Sequence, residues 1–218
     1  MKRITILLVL LTITSNVFSQ IQRFPPIDQS SQDPELVMFI QKLKTAVKNR
    51  DKDYIETIVA SESFIPQERT TKEEFMKFYF KTSYRAAKFW ENLEYIFTIG
   101  GGAFNPKNQN EYFLPYTSAN IYNSQVFSEV GSYVLSLSDS TPIYAQPNDN
   151  SRIVAHFNYE AAPVNHTENK VDGWYAIDLN SGELGFIQEI KALYTISTRC
   201  GLIKENGIWK LQYADSFD

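Results

Sequence analysis

The sequence predicts an α+β fold, and three patterns along the chain lead to this prediction. Between Asp33 and Ile99, apolar residues recur at the three- and four-residue spacing of amphipathic helices. From Val130 the apolar period changes to two, and short strand-like runs alternate with turn-forming residues. The pair Asn206-Gly207 marks a tight hairpin, because both positions tolerate positive φ. We therefore expect a small N-terminal helical domain, then a small β-barrel, then an extra C-terminal β-hairpin.

The start of the chain has the composition of a secretory signal peptide, which we assign to residues 1–19. A positive Lys2-Arg3 pair precedes an apolar run from Ile4 to Ile13, and Gln20 follows a plausible cleavage site. The run is too short for a membrane-spanning helix, which needs about 20 residues. We expect export to the periplasm or the medium, with no membrane insertion after cleavage. Residues 20–32 are polar and contain two prolines, which predicts a flexible leader.

The charge balance narrows the class of partners. Residues 1–19 hold two of the 21 Lys and Arg residues and none of the 25 acidic ones, so the remainder has a net charge of −6. A mildly acidic surface argues against nucleic acid, which needs a basic footprint, and more weakly against anionic lipid headgroups. The single cysteine cannot form an internal disulfide, so the fold depends on its apolar core.

Residues 33–129 are predicted to form a mainly helical domain with an irregular C-terminal part. Asp33 can accept hydrogen bonds from the free N–H groups at the start of the first helix. Thr71 and Glu74 have the three-residue spacing of a capping box, which places another helix start at this point. The run Gly100-Gly101-Gly102 ends the last helix.

Short alternating runs predict a β-rich second half. They are Tyr133–Leu137, Pro142–Tyr144, Arg152–Phe157, Trp174–Asp178 and Leu184–Gln188. Short strands at this spacing, separated by turn signals, favour a barrel or a sandwich. We assign residues 130–192 to the barrel and residues 193–218 to a C-terminal hairpin packed on it.

Several motifs in this half follow the order found in one family of small barrels. They are Pro142-Ile143-Tyr144, the loop Gln146 to Ser151, the strand Ile153-Val154-Ala155, the run Gly173 to Ile177 and the run Gly182 to Ile187. Residues 133–192 thus resemble the bacterial SH3-like (SH3b) family. The resemblance implies an SH3-like β-barrel that binds a cell-wall peptide or positions a neighbouring domain. The layout also resembles that of uncharacterised secreted proteins of Bacteroidota, which implies an envelope location.

Four aromatic residues of the predicted barrel are candidate ligand-binding residues. They are Tyr144, Trp174, Tyr175 and Phe186. Aromatic rings offer flat contact area at a low entropy cost, and an extended peptide can stack on them. Because side chains alternate along a strand, Trp174 and Tyr175 point to opposite faces, and one of them must face the core. The sequence leaves open which one does.

Candidate catalytic groups are sparse. Cys200 with His156 or His166 is the only thiol–imidazole pair that the chain can form. A nucleophilic cysteine is usually found at a helix N-terminus or an exposed turn, whereas Cys200 falls in a predicted strand. The histidines stand ten residues apart, and no Cys pair or His-Glu-x-x-His run predicts a metal site. We therefore predict no catalytic residue, no metal and no cofactor.

These features together predict a non-enzymatic exported binding or adaptor protein. Its SH3-like module would recognise an envelope peptide, a cell-wall component or a protein partner. Two alternatives remain open. One is an envelope enzyme that acts on cell-wall peptide through a site that the sequence does not reveal. The other is a structural interaction module without a small ligand, which would expose a wide apolar patch.

Overall fold

The computed structural model describes residues 23–66, 68–118, 132–168, 171–194 and 199–215. The expected signal peptide lies outside the described residues. The expected combination of helices and antiparallel strands is confirmed, but in the described ranges no sheet closes into a barrel. None of the helices in these ranges has both the length and the apolar character that a membrane span requires.

Four α-helices, which the structure describes from end to end, lie between Pro34 and Ile99. They are α1 (Pro34–Asn49), α2 (Lys52–Ile58), α3 (Lys72–Phe80) and α4 (Ser83–Ile99). The Asp33 carboxylate caps α1 by accepting from the N–H groups of Glu35 at 2.9 Å and Leu36 at 3.2 Å. Thr71 and Glu74 form the expected capping box at the start of α3. The helix starts predicted at these two places are therefore confirmed.

The strands are short and pair antiparallel throughout the described chain. In chain order they are β1 (Glu62–Ile65), β2 (Glu68–Thr71), β3 (Ala103–Asn105), β4 (Asn108–Leu114), β5 (Tyr133–Ser136), β6 (Thr141–Tyr144), β7 (Ile153–Phe157), β8 (Ala161–Pro163), β9 (Trp174–Asp178), β10 (Leu184–Gln188), β11 (Ala192–Tyr194), β12 (Arg199–Glu205) and β13 (Ile208–Asp215). Strands β1 and β2 form a hairpin that leads directly into α3.

The C-terminal hairpin, β12 and β13, does not pack on the barrel as expected. It joins a sheet in the order β13-β12-β4-β3, in which Leu202 lies opposite Tyr112. Trp209 and Leu211 of the hairpin lie in the same apolar core as the inner faces of all the helices. An apolar helix stripe must be covered by another layer, and this sheet covers it. The expected mainly helical domain over residues 33–129 is therefore not confirmed, because distant strands complete the core of its helices.

Residues 23–32, expected as part of a flexible leader, are packed between two parts of the molecule; we call them the strap. One part contains the helices and the sheet that covers them, and the other contains strands β5 to β11. The Phe24 ring is only 3% exposed, and its N–H donates to the carbonyl of Tyr159 at 2.7 Å. Five residues later, the N–H of Gln29 donates to the carbonyl of Gly102 at 3.0 Å. The prediction was wrong because one ring of this polar segment is buried and its backbone N–H groups find partners far away in sequence.

Side chains of the strap strengthen this connection. Arg23 forms an ion pair with the largely buried Glu160, with Nε and Oε1 3.2 Å apart. At the other end of the strap, the Tyr112 hydroxyl donates to Asp28 Oδ1 at 2.9 Å. The strap therefore contacts both parts of the molecule through charged or hydrogen-bonded side chains as well as through its backbone.

Strands β5 to β11 form what we call the seven-strand region. Its two sheets have the orders β11-β5-β8 and β7-β6-β10-β9. A bridge between Val164 and Ile177 joins them, next to a 2.9 Å hydrogen bond from the N–H of Asn165 to the carbonyl of Ala176. The result is one bent layer that runs from β11 to β7 around a small aliphatic core. The strands predicted over residues 130–192 are present, but the layer stays open between β7 and β11.

Candidate functional site

The two faces of the β9–β10 hairpin have different roles. In its register Phe186 lies opposite Ala176 and Gln188 lies opposite Trp174, while Phe186 also lies opposite Tyr144 of β6. Residues that lie opposite each other project from the same face of a sheet. Trp174, Phe186 and Tyr144 therefore share one face, which we call the outer face.

The opposite face of this hairpin covers the small core. Ile177 and Ile187 are fully buried there, together with Ile143 of β6. Tyr175 packs at the edge of this core and is half-buried. The question that the sequence left open is thus answered: Tyr175 belongs to the core-facing side, and Trp174 belongs to the outer face.

A groove of about 450 Å³ runs along this hairpin; we call it the aromatic groove. Three of the four predicted residues line it, namely Trp174, Tyr175 and Phe186. Tyr144 is not among the lining residues, but its ring meets Trp174 edge-to-face, with centroids 5.4 Å apart and planes at 88°. Tyr144 therefore does not line the groove itself but packs against the Trp174 indole ring and holds it in place.

Two features of the aromatic groove were not predicted. The first is Tyr194, whose ring stacks on Tyr175 with centroids 5.9 Å apart and planes at 15°. Tyr194 was not among the candidate residues because the predicted barrel ended at residue 192. It reaches the groove because β11 pairs with β5, where Tyr194 lies opposite Val134. Only this long-range pairing reveals its position, so no local pattern could have identified it.

The second unpredicted feature is the turn at one rim of the groove. Asn165 Oδ1 accepts from the N–H groups of Thr167 at 2.9 Å and Glu168 at 3.1 Å. The Asn165 amide group also donates to Asp178 Oδ1 at 2.7 Å, which ties the turn to the end of β9. His166 and Glu168 line the groove from this turn. An asparagine whose side chain can accept from the N–H two residues on is a local signal for such a turn.

Gln188 contributes a polar group on the outer face, opposite Trp174. Its Nε2 donates to Asp149 Oδ1 at 2.5 Å, which links β10 to the loop between β6 and β7. Its Oε1 is buried and has no hydrogen-bond partner among the described residues. Buried polar atoms without a partner are rare in folded proteins. Gln188 lies opposite Trp174 in the strand register but is not among the residues that line the aromatic groove.

The hydroxyl of Tyr175 stays protonated at the edge of the groove. Burial raises the pKa of Tyr175, and the neighbouring Glu189, Tyr95 and Tyr194 add to the increase. A neutral phenol can donate one hydrogen bond and accept another. The groove therefore offers polar contacts without a charged tyrosinate.

The thiol–imidazole pair considered from the sequence does not assemble. Cys200 is fully buried in the core between the helices and β12, and burial raises the pKa of its thiol well above the ordinary value. His156 and His166 are both exposed and lie in the seven-strand region. A protonated, inaccessible thiol is a poor nucleophile. Among the residues that the structure describes, no three His, Cys, Asp or Glu side chains converge as metal ligands would.

Comparison with known proteins adds no relative to this description. No family model, no curated protein and no solved structure matches the chain. The aromatic groove itself offers flat aromatic area and a polar rim that includes Asn165, His166 and Glu168. Such groups can hold a ligand by stacking and by hydrogen bonding.

Proposed function

We propose that the protein is a non-enzymatic, exported binding or adaptor protein. Its seven-strand region would be an SH3-like module that holds an extended peptide of the cell envelope in the aromatic groove. The observation that carries the proposal is the half-buried Trp174 ring, fixed by Tyr144 on the outer face and placed in a groove beside Phe186. A rigid aromatic ring of this kind binds with little loss of conformational entropy.

The form of the seven-strand region supports the SH3-like assignment. A single bent layer of short antiparallel strands surrounds a core of a few aliphatic side chains. A short 3₁₀ turn, Glu189–Lys191, connects β10 to β11, which then pairs with β5, the first strand of the layer. The first and last strands of the layer's sequence are thus neighbours, as expected for a small independent binding module.

The polar groups around the groove favour a peptide over a purely apolar ligand. At one rim of the groove, His166 and Glu168 provide contacts for polar or charged peptide side chains. At its edge, the neutral Tyr175 hydroxyl can donate one hydrogen bond and accept another. Apolar stacking combined with a few fixed polar contacts is typical of the recognition of extended peptides.

The proposal excludes covalent catalysis at the only thiol of the chain, because Cys200 is buried and protonated. The expected signal peptide and the resemblance to exported proteins support an envelope location. The partner would be a peptide of the cell wall, since wall peptides are extended and carry backbone amides together with charged groups.

Co-sedimentation with purified peptidoglycan sacculi tests this proposal. We expect the wild-type protein to pellet with sacculi and the Trp174→Ala variant to lose most of this pelleting. Tyr84→Ala is the matched control. This variant also removes an aromatic ring, but from α4, where Tyr84 is 70% exposed. Pelleting of Trp174→Ala at the wild-type level, or no pelleting of the wild type at any salt concentration, would contradict wall binding through this groove.

A further inference from the structure

A second cleft, of about 470 Å³, lies where three parts of the chain meet. Pro26 lines it from the strap, Tyr95 and Ile99 line it from α4, and Leu137 and Ile190 line it from the seven-strand region. This volume falls within the range of about 300 to 1,000 Å³ that is typical of small-molecule sites. The cleft shares none of its lining residues with the aromatic groove, so it is a separate site.

Tyr116, one of the residues that line this cleft, has a polar group without a partner among the described residues. Its side chain is only 2% exposed, and within the part of the chain that the structure describes its buried hydroxyl makes no hydrogen bond. Leaving a buried hydroxyl unpaired is unfavourable, so native proteins seldom do it without a reason. Burial, with a smaller contribution from Tyr159, raises the pKa of Tyr116 to about 12. The hydroxyl therefore keeps its proton and is a donor that awaits an acceptor.

The remaining lining groups define what the cleft can accept. Thr98 is already engaged, because its hydroxyl donates to the carbonyl of Glu94 at 3.0 Å. Glu189 is the one charged residue among the lining residues, and its negative charge disfavours anions. Ile190, at 86% exposure, adds an apolar edge at the mouth. The cleft thus combines apolar walls, one buried donor and a local charge that disfavours anionic ligands.

We propose that this cleft binds a small uncharged molecule that has an apolar body and one hydrogen-bond acceptor, which Tyr116 would contact. The site is independent of peptide binding in the aromatic groove, so either proposal can fail without the other. Binding would connect the strap, α4 and the seven-strand region through a single ligand, and would satisfy the unpaired hydroxyl in the bound state.

A ¹H–¹⁵N NMR titration with the aryl ketone 4-phenyl-2-butanone tests the proposal. We expect saturable shifts of the amides around the cleft, at Thr98, Ile99 and Leu137, with a dissociation constant on the order of 1 mM for so small a probe. Tyr116→Phe should weaken binding about tenfold, because the ketone loses its hydrogen bond in a desolvated site. Thr98→Trp should block the cleft, since it adds a large ring at an exposed lining position.

Two further measurements make the outcomes decisive. Tyr84→Phe is the control: it removes a hydroxyl from an exposed position on α4, the helix that carries Thr98, and should leave ketone binding unchanged. The melting temperature of ligand-free Tyr116→Phe should equal or exceed that of the wild type, because the variant removes an unpaired polar atom. A lower melting temperature, equal ketone affinity of Tyr116→Phe and wild type, or the absence of shifts around the cleft would overturn the proposal.

Discussion

Lys204 of β12 and Asp33, the cap of α1, form an ion pair with Nζ and Oδ2 2.8 Å apart across 171 positions of sequence. The same Asp33 oxygen accepts from Nε1 of the buried Trp209 at 3.0 Å, while Glu35 lies 2.9 Å from Lys204 Nζ. One carboxylate thus caps the first long helix and fixes the C-terminal hairpin against it. This contact explains why the hairpin belongs to the helical half of the molecule.

Asp33→Ala should destabilise the protein by about 2 to 3 kcal/mol. The variant removes a helix cap, which is worth about 1 kcal/mol, and leaves the buried Trp209 N–H without a partner. Urea denaturation measures the loss of unfolding free energy. Asp139→Ala, at an exposed turn position, is the control and should change stability by less than about 0.5 kcal/mol. Equal midpoints for the two variants would refute the role given to Asp33.

Acidification should weaken the same contact. Burial alone would raise the pKa of Asp33, but hydrogen bonds from Lys204, Trp209 and the N–H groups of Leu36 and Glu35 outweigh it and hold the pKa below the ordinary 3.8. A carboxyl group with a lowered folded-state pKa stabilises the fold above its unfolded-state pKa and loses this effect as the pH falls through its folded-state pKa.

The stability gap between wild type and Asp33→Ala should therefore be constant near neutral pH and shrink below about pH 4. Denaturant titrations at a series of pH values, each with both proteins, isolate the contribution of Asp33 from that of other carboxyl groups. A gap that stays constant down to pH 2, or that widens on acidification, would show that the charged form of Asp33 is not the stabilising one.

The strap should be part of the folded core. Phe24→Ala should cost about 3 kcal/mol, the lower end of the range for buried aromatic residues, because its side chain is almost fully buried. Thermal unfolding compared with Tyr84→Ala, which removes an exposed ring, measures the effect. If both variants melt at the same temperature, residues 23–32 are a flexible leader after all.

Alanine substitution of the two neighbouring aromatic residues of β9 should affect stability and binding to different extents. Tyr175→Ala should lower stability by about 2 kcal/mol, because its ring packs on Tyr194 and on the small core. Trp174→Ala should lower stability by less than about 1 kcal/mol and act mainly on binding, since its ring lies on the outer face. The reverse order of stabilities would mean that the assignment of the two faces is wrong.

Cys200 should be inert in the native protein. A maleimide reagent should leave it unmodified under native conditions and label it fully in urea, because its thiol is buried and its pKa is raised. Cys200→Ala should also keep the wild-type binding to sacculi. Rapid labelling of the folded protein, or loss of binding in Cys200→Ala at unchanged stability, would reopen the alternative of a thiol enzyme.

Local chemistry accounts for the features that the sequence predicted correctly. The caps at Asp33 and at Thr71 with Glu74 need only residues within one helical turn, so they are visible as short patterns. The alternation along β9 likewise identified Trp174 and Tyr175 as residues on opposite faces. Three of the four candidate residues line one groove, and their role in ligand binding stays a prediction.

The errors concern contacts between distant parts of the chain. Phe24 is a single apolar residue in a polar segment, and nothing nearby in sequence indicates that its N–H meets Tyr159. Likewise, the pairing of β12 with β4 is decided by which layer covers the helices, a choice that hydrophobic periodicity does not encode. Which face of β9 meets the core also depends on its partners, through contacts such as Val164 with Ile177.

The emission of Trp174 during a titration with soluble cell-wall peptide fragments tests the central claim most directly. The other two tryptophans, Trp90 and Trp209, are buried in the helical half, so a ligand in the aromatic groove should change mainly the indole on the outer face. We predict a saturable change in emission that is absent in Trp174→Phe. No change in the wild type, or the same change in Trp174→Phe, would contradict peptide binding at this groove.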